Sequence, residues 1–253
     1  MPFLGGSGGD VEITCLVVAV IFLATLIRSA FGFGEALIAV PLLASLRIPV
    51  ETAAPLAVLV SVTIALVILA QDWHKVHLGS AGWLVLATLP GILLGLWLLQ
   101  AASEPTVKTI LAAVIIAFST YCLMSRRRLE LKGDGSAWFF GFIAGILGGA
   151  YGMNGPPLVI YGALRRWTPE HFRATLQGYF LPASAVGMIG YWLAGLWGWE
   201  VTRYYFLSLP AALAAVFLGR AINRRLDGRR FLRYVHLGLI VNGIVLLAQA
   251  LGK

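Results

Sequence analysis

The chain has 253 residues, of which 59% are hydrophobic and 12% are charged, and its mean hydropathy is +0.86. A soluble domain carries roughly 25% charged residues. This composition therefore excludes an ordinary water-soluble protein and predicts an integral membrane protein. The formal net charge of +8 is concentrated in short basic segments. That distribution is typical of cytoplasmic loops and their contacts with anionic lipid, and it argues against nucleic-acid binding.

Apolar runs of helical length follow one another along the chain, and none alternates like a strand of an outer-membrane barrel. We therefore predict an all-α, polytopic membrane protein. After an acidic lead at 1–12, helices are expected at 13–30, 36–46, 52–70, 81–100 and 106–125, and then at 137–150, 156–164, 171–196, 200–220 and 234–251. The basic linker 126–136 and the arginine-rich segment 220–234 are both predicted to be cytoplasmic loops.

The two series of elements align at a constant offset of 120 residues. Ala30-Phe31-Gly32 falls on Ala150-Tyr151-Gly152, Pro49 falls on Pro169, and Pro90 falls on Pro210. Because each series has an odd number of elements, the halves are expected to have opposite orientations in the membrane, as in many secondary transporters. We therefore predict two inverted five-element repeats, at 13–125 and 137–253, with both termini outside the cytoplasm.

Each predicted repeat begins with a broken helical hairpin. Segment 36–46 would reach ~16 Å at 1.5 Å per residue, which is too short to cross a hydrocarbon core of ~30 Å. Segment 156–164 is shorter still, and the adjacent Pro156 and Pro157 cannot continue a helix that enters from the N-terminal side. The hairpin tips are placed at 31–35 and 151–157, and a backbone break at membrane depth is a candidate site because its polar groups need partners.

The first tip contains an arginine and a glutamate within an apolar region. Arg28 is the first candidate ligand for an anion, because its planar fork suits carboxylate, sulfonate or sulfite oxygens. It could instead reach a lipid headgroup or only neutralise Glu35. Glu35 could carry a coupling proton, or it could cap the following helix while paired with Arg28. Ser29, Gly32 and Gly34 complete this half of the predicted substrate site.

The second tip offers backbone donors rather than charges. The N–H groups around Gly152 and Gly155, with the helix that begins at Pro156, would form an anion receptor, and Asn154 would add a neutral donor. Close helix packing is the alternative reason for these glycines. Further along, Arg173 and Gln177 lie four residues apart and share a helix face. Both could face a cavity, or Arg173 could only anchor its helix at the inner membrane surface.

Other polar residues give weak signals. His74 and His77 share a short loop with Asp72 but lack the ligand set of a zinc site, so we expect them to be solvated. His171 and His236 have no evident partner in the sequence. No metal, cofactor or catalytic constellation is predicted, which argues against an ATP-driven pump or an intramembrane enzyme.

Several of these residues carry a family resemblance. The run Gly145-x-x-Gly148-Gly149-x-x-Gly152-x-x-Gly155-Pro156-Pro157, followed by Tyr161 and Phe172-Arg173-Ala174-Thr175, resembles the second repeat of the TauE/SafE sulfite exporter family. Gly32-Phe33-Gly34 with Pro41 resembles its first repeat. The resemblance implies a bacterial inner-membrane permease that exports small sulfur-containing anions such as sulfite, sulfoacetate or another organosulfonate.

We therefore expect a secondary transporter that binds its anion between the two tips and works by alternating access. An anion channel is the first alternative, and an intramembrane enzyme or scaffold is the second. The expected partners are a small anionic substrate and membrane lipid, with a homodimer as one option.

Overall fold

The computed structural model describes residues 7–101, 104–124, 130–151, 154–193 and 195–251. These residues form ten α-helices and one 3₁₀ turn, Trp73–Lys75, with no strand among them. The helices are α1 (Ser7–Phe31), α2 (Glu35–Ser45), α3 (Val50–Asp72), α4 (Leu78–Ala101), α5 (Glu104–Met124), α6 (Ala137–Tyr151), α7 (Gly155–Leu164), α8 (Pro169–Leu193), α9 (Trp199–Arg225) and α10 (Gly228–Leu251). The predicted all-α fold is confirmed.

Most helix ends lie within a few residues of their predicted positions, with two informative differences. Helix α1 begins at Ser7, so Asp10 and Glu12 belong to the helix and not to a separate lead. Acidic groups are stabilised near a helix N-terminus by the helix dipole. The loop expected between the helices 200–220 and 234–251 is much shorter than predicted, because α9 continues to Arg225 and α10 begins at Gly228. Arginine is a good helix former, so a basic segment need not be a loop.

Four helical segments in the described part of the chain are long and apolar enough to cross a membrane. They are Val11–Phe31, Glu51–Lys75, Leu78–Gly95 and Trp199–Arg225. Two further apolar helical segments, Ala137–Leu147 and Gly155–Leu164, are shorter. These lengths indicate a multi-pass membrane protein. The helices that follow the two breaks, α2 with 11 residues and α7 with 10, match the expectation that these elements are too short to cross alone.

The chain divides into two compact units. Unit 1 comprises residues 1–73 and 180–225. Within it, α1 and α3 pack against α9, and α2 packs against α1 and α3. Its buried apolar core includes Val17, Ile21, Leu43, Leu56, Ile64 and Val216.

Unit 2 comprises residues 74–179 and 226–253, and it contains the α4–α6 and α5–α10 helix pairs. Glycines let the backbones of α4 and α6 approach closely. A Cβ atom built on Gly141 would lie 2.4 Å from the Leu84 carbonyl oxygen, and one on Gly145 would lie 2.4 Å from the Thr88 carbonyl oxygen. Small residues four apart are a common device for membrane helix packing. Gly141 and Gly145 therefore serve helix packing.

The compact units do not coincide with the two predicted repeats, since each unit takes helices from both halves of the sequence. The compact units show which helices pack against each other, whereas a repeat is defined by similar structure in two segments of the chain. The division into units therefore does not test the inverted repeat, which stays a prediction. The described part of the predicted linker is anchored within unit 2. Asp134 accepts a hydrogen bond from Ser80 at 2.5 Å and lies 3.1 Å from Arg165.

Candidate functional site

The first helix break lies where the sequence predicts it. Helix α1 ends at Phe31 and α2 begins at Glu35. The intervening Gly32 and Gly34 have φ values of +87° and +99°, a region that glycine enters without the steric cost paid by other residues. The Gly32 N–H donates a 2.6 Å hydrogen bond to the Arg28 carbonyl, which closes the last turn of α1. The glycines therefore reverse the chain while keeping Arg28 and Glu35 close.

Arg28 and Glu35 form a buried ion pair at this break. Arg28 Nη1 donates to Glu35 Oε2, and each residue is 4% exposed. This burial within unit 1 does not match the alternative in which Arg28 extends to a lipid headgroup. The pairing matches the simpler interpretation of Glu35 as a carboxylate at the start of a helix, in contact with Arg28. Removing two charges from water is costly unless the pair is well hydrogen-bonded.

Two further side chains of unit 1 contact Arg28, and a third contacts one of these. Ser61 on α3 accepts a hydrogen bond from Arg28 Nη1, and its hydroxyl oxygen lies 3.1 Å from that of Ser184 on α8. The Arg28 guanidinium carbon lies 5.2 Å from the centre of the Phe180 ring, a favourable cation–π distance. The result is one cation surrounded by a carboxylate, two hydroxyls and an aromatic face.

Some buried polar atoms in unit 1 have no hydrogen-bond partner within the described residues. Near Arg28 these include Glu35 Oε1 and Thr25 Oγ1. Thr25 precedes Arg28 by three residues on α1, so the two side chains share a face of the helix. Unpaired buried polar atoms are uncommon in proteins and often mark a place for water or a ligand. The Arg28 region therefore has unused hydrogen-bonding capacity.

Other contacts hold the end of α1 against α9. The Ser29 hydroxyl donates to the Val216 carbonyl at 2.8 Å, and the Asn223 side chain donates to the Ala30 carbonyl at 2.7 Å. The last carbonyls of a helix lack partners within the helix, so the Asn223 contact stabilises the break directly. Ser29 thus takes part in helix packing, and its use as a substrate ligand stays a prediction.

The second break is in unit 2. Helix α6 ends at Tyr151 and α7 begins at Gly155, with Pro156 in its first turn, where a proline costs little. Gly152 lies outside the described residues. Asn154 is the N-cap residue, but its side chain makes no capping hydrogen bond. Its side chain instead interacts with the Tyr179 hydroxyl, which accepts a 3.0 Å hydrogen bond from the Thr88 hydroxyl.

Arg173 and Gln177 lie on the part of α8 that belongs to unit 2. They are 1% and 0% exposed, so Arg173 is not an exposed anchor at the membrane surface. Between them, the Thr175 hydroxyl accepts a 3.0 Å hydrogen bond from the His77 backbone N–H. Their burial agrees with the expectation of inward-facing side chains, and their contact with a substrate stays a prediction.

The histidines near the start of α8 differ from expectation. His77 is not simply solvated, because its ring centre lies 5.2 Å from Trp167 and 4.6 Å from His171. His171 does have a partner, since its Nδ1 lies 2.7 Å from the Lys75 carbonyl oxygen. Burial lowers the pKa of His77, and the nearby positive charges of His171 and Arg165 lower it further. Sequence spacing alone could not reveal these contacts.

The fold and the site define a multi-pass helical membrane protein with a buried ion pair at a helix break. The model of the sulfite exporter TauE/SafE family matches residues 17–246, and the chain belongs to this family. It is also similar to a protein of Cupriavidus necator described as a probable sulfite/organosulfonate exporter TauE. The two are 25% identical over 206 residues, which cover 78% of each chain. No solved structure matches the chain.

Proposed function

We propose that this protein exports a small sulfur-containing oxoanion, such as sulfite or an organosulfonate, across the bacterial inner membrane, with Arg28 as its principal anion ligand. The observation that carries the proposal is the Arg28 guanidinium, which is buried in a membrane-spanning unit beside a helix break. Charged residues inside membrane proteins are costly and usually functional. The sulfur chemistry comes from family membership and from the description of the Cupriavidus necator relative.

The groups around Arg28 suit an oxoanion in both charge and hydrogen bonding. A guanidinium binds two oxygens of one anion in a fixed planar geometry. The hydroxyls of Ser61 and Ser184 share one hydrogen bond, so one of the two has a free donor for a further oxygen. This arrangement favours tetrahedral or pyramidal oxoanions over a halide, which has no separate oxygen to accept from that hydroxyl.

Transport would proceed by alternating access, with the site open to one side of the membrane at a time. An anion that leaves the cytoplasm moves with the membrane potential, which supplies about 2.3 kcal/mol per charge per 100 mV. An anion that crosses alone therefore needs no coupled ion, whereas an anion that crosses together with a proton moves no net charge and gains nothing from this potential. The extracytoplasmic termini, the use of both tips for one anion and the homodimer stay predictions.

The central test replaces Arg28 by lysine, which keeps the charge and removes the fork. Losing one charge-assisted hydrogen bond costs about 1.5–3 kcal/mol, so sulfite and methanesulfonate binding to the detergent-purified chain should weaken about 10- to 100-fold. Arg220→Lys is the matched control. Arg220 belongs to the same unit and pairs with Asp72 at 2.8 Å, and it makes no contact assigned to the site. Its variant should bind both anions like the wild type.

Flux measurements then separate the transporter from a channel. Proteoliposomes containing the wild-type chain should show saturable sulfite efflux and counterflow, and the Arg28 variant should lose both. Unchanged affinity in Arg28→Lys would remove this residue from the site. Flux that neither saturates nor shows counterflow would favour a channel, and absence of any flux would contradict transport itself.

A further inference from the structure

The Glu35 carboxylate already neutralises Arg28 and occupies one of its donors, Nη1. Its Oε2 accepts a hydrogen bond from Arg28 Nη1, the atom that also donates to Ser61. A carboxylate and a sulfonate both offer negatively charged oxygens to a guanidinium fork. Glu35, at the start of α2, therefore binds Arg28, near the end of α1, in the way that a substrate anion would.

Among the described residues of unit 1, no second cation acts on Glu35 that could hold both anions. In the described part of unit 1, Arg28 is the charged group that acts on Glu35, whereas α3 contributes the neutral Ser61 and α8 contributes the neutral Ser184 and Phe180. Two negative charges held this close in a buried site cannot both stay ionised without further compensation. A substrate anion that binds Arg28 must therefore either displace Glu35 or neutralise it.

A displaced Glu35 carboxylate would have little to stabilise its charge. Its other oxygen, Oε1, already lacks a hydrogen-bond partner among the described residues, and the residue is 4% exposed. Separation from Arg28 would leave both oxygens unpaired in a buried environment, which strongly disfavours an ionised carboxylate. A protonated, neutral Glu35 does not have this desolvation cost, so Glu35 should leave Arg28 and take up a proton in the same step.

On the basis of the proposed function, we propose that anion binding displaces Glu35 from Arg28 and adds one proton to the Glu35 carboxylate. The ion pair Arg28⁺·Glu35⁻, the substrate anion and one proton become Arg28⁺·anion⁻ and neutral Glu35. The net charge of the buried site is zero before and after this exchange. Each bound monovalent anion is therefore accompanied by one proton, which makes binding linked to pH.

The test measures proton uptake when the purified wild-type chain binds methanesulfonate, whose sulfonate stays ionised from pH 5.5 to 8. Calorimetry in two buffers with different ionisation enthalpies gives the number of protons taken up per anion. In the pH range where Glu35 is ionised, uptake should be close to one proton, and the dissociation constant should rise about tenfold per pH unit. Binding without proton uptake across this range would overturn the displacement while leaving anion binding intact.

A variant pair locates the proton. Glu35→Gln should bind methanesulfonate more tightly than the wild type at pH 8, with no proton uptake and with an affinity that does not change with pH. The control Glu51→Gln changes an exposed glutamate in the same unit and should behave like the wild type. Unchanged proton uptake in Glu35→Gln, or loss of binding with the helical circular dichroism retained, would overturn the proposal. If Glu35→Gln does not fold, the number of protons taken up by the wild type tests the displacement of Glu35. If the wild type binds no methanesulfonate at any pH, both this proposal and the proposed function are overturned.

Discussion

Replacing Arg28 by methionine should destabilise the protein more than almost any other single change in unit 1. Arg28 and Glu35 are each 4% exposed and form an ion pair. Methionine fills a similar volume but leaves Glu35 buried without its counter-charge, so the carboxylate must either stay ionised without a partner or take up a proton at neutral pH, and both cost free energy. Breaking a buried pair in this way costs about 3–5 kcal/mol.

The double variant Arg28→Met, Glu35→Leu should recover most of that loss. A buried ion pair replaced by apolar residues of similar size is often neutral or stabilising by about 1–4 kcal/mol, because no charge remains to be desolvated. The double variant should nevertheless bind no sulfite, because the guanidinium is gone. Stability and anion binding would then separate in one protein.

A double-mutant cycle in detergent micelles provides the measurement. The free energy of unfolding of the wild type, both single variants and the double variant is obtained from denaturant titrations followed by circular dichroism. We expect a coupling energy of at least about 2 kcal/mol. Losses that add within about 0.5 kcal/mol would show that the two side chains act independently and would contradict the ion pair as the basis of the site.

Three further changes test other parts of the structure. Gly34→Ala should lower the free energy of unfolding by about 1–2 kcal/mol because of the positive φ of +99°, whereas Gly155→Ala, where a Cβ would enter open space, should change it little in the same titration. Gly145→Leu should reduce the yield of folded protein in size-exclusion chromatography, because a Cβ there would lie 2.4 Å from a backbone oxygen. Gly82→Leu is its control, because a Cβ on Gly82 would meet no atom within 4 Å. Burial and nearby positive charges lower the pKa of His77 in the folded state. As the pH drops below about 6.5, the unfolded chain therefore takes up a proton before the folded chain does, and the free energy of unfolding should fall. Melting curves at pH 5 and 7.5 should show a smaller loss of stability for His77→Phe than for the wild type.

The positions of the helices were largely predictable because glycine, proline and apolar runs act locally. The break after Phe31 and the start of α7 at Gly155 both follow from such residues. The error over 220–234 has the opposite origin. Charge indicates which side of the membrane a segment occupies, but it does not stop a helix, so α9 extends through Arg224 and Arg225.

The site was predictable only where its residues are close in sequence. Arg28 and Glu35 are seven residues apart across one break, and their opposite charges in an apolar region indicate a pair. Ser61 is 33 residues from Arg28, and Ser184 is a further 123 residues along the chain. A serine in an apolar helix is common and carries no signal of its own. Only packing within unit 1 reveals that these hydroxyls belong with Arg28.

The two breaks show that charge is not needed to interrupt a helix in this protein. At the offset of 120, Arg28 corresponds to Gly148 and Glu35 corresponds to Gly155, so the second break contains neither charge. It is made instead by Pro156 in the first turn of α7, with Asn154 at the cap. Since a break forms without an ion pair, the architecture alone does not account for the desolvation cost of Arg28 and Glu35. Recognition of an anion is a reason to keep both charges in the first half.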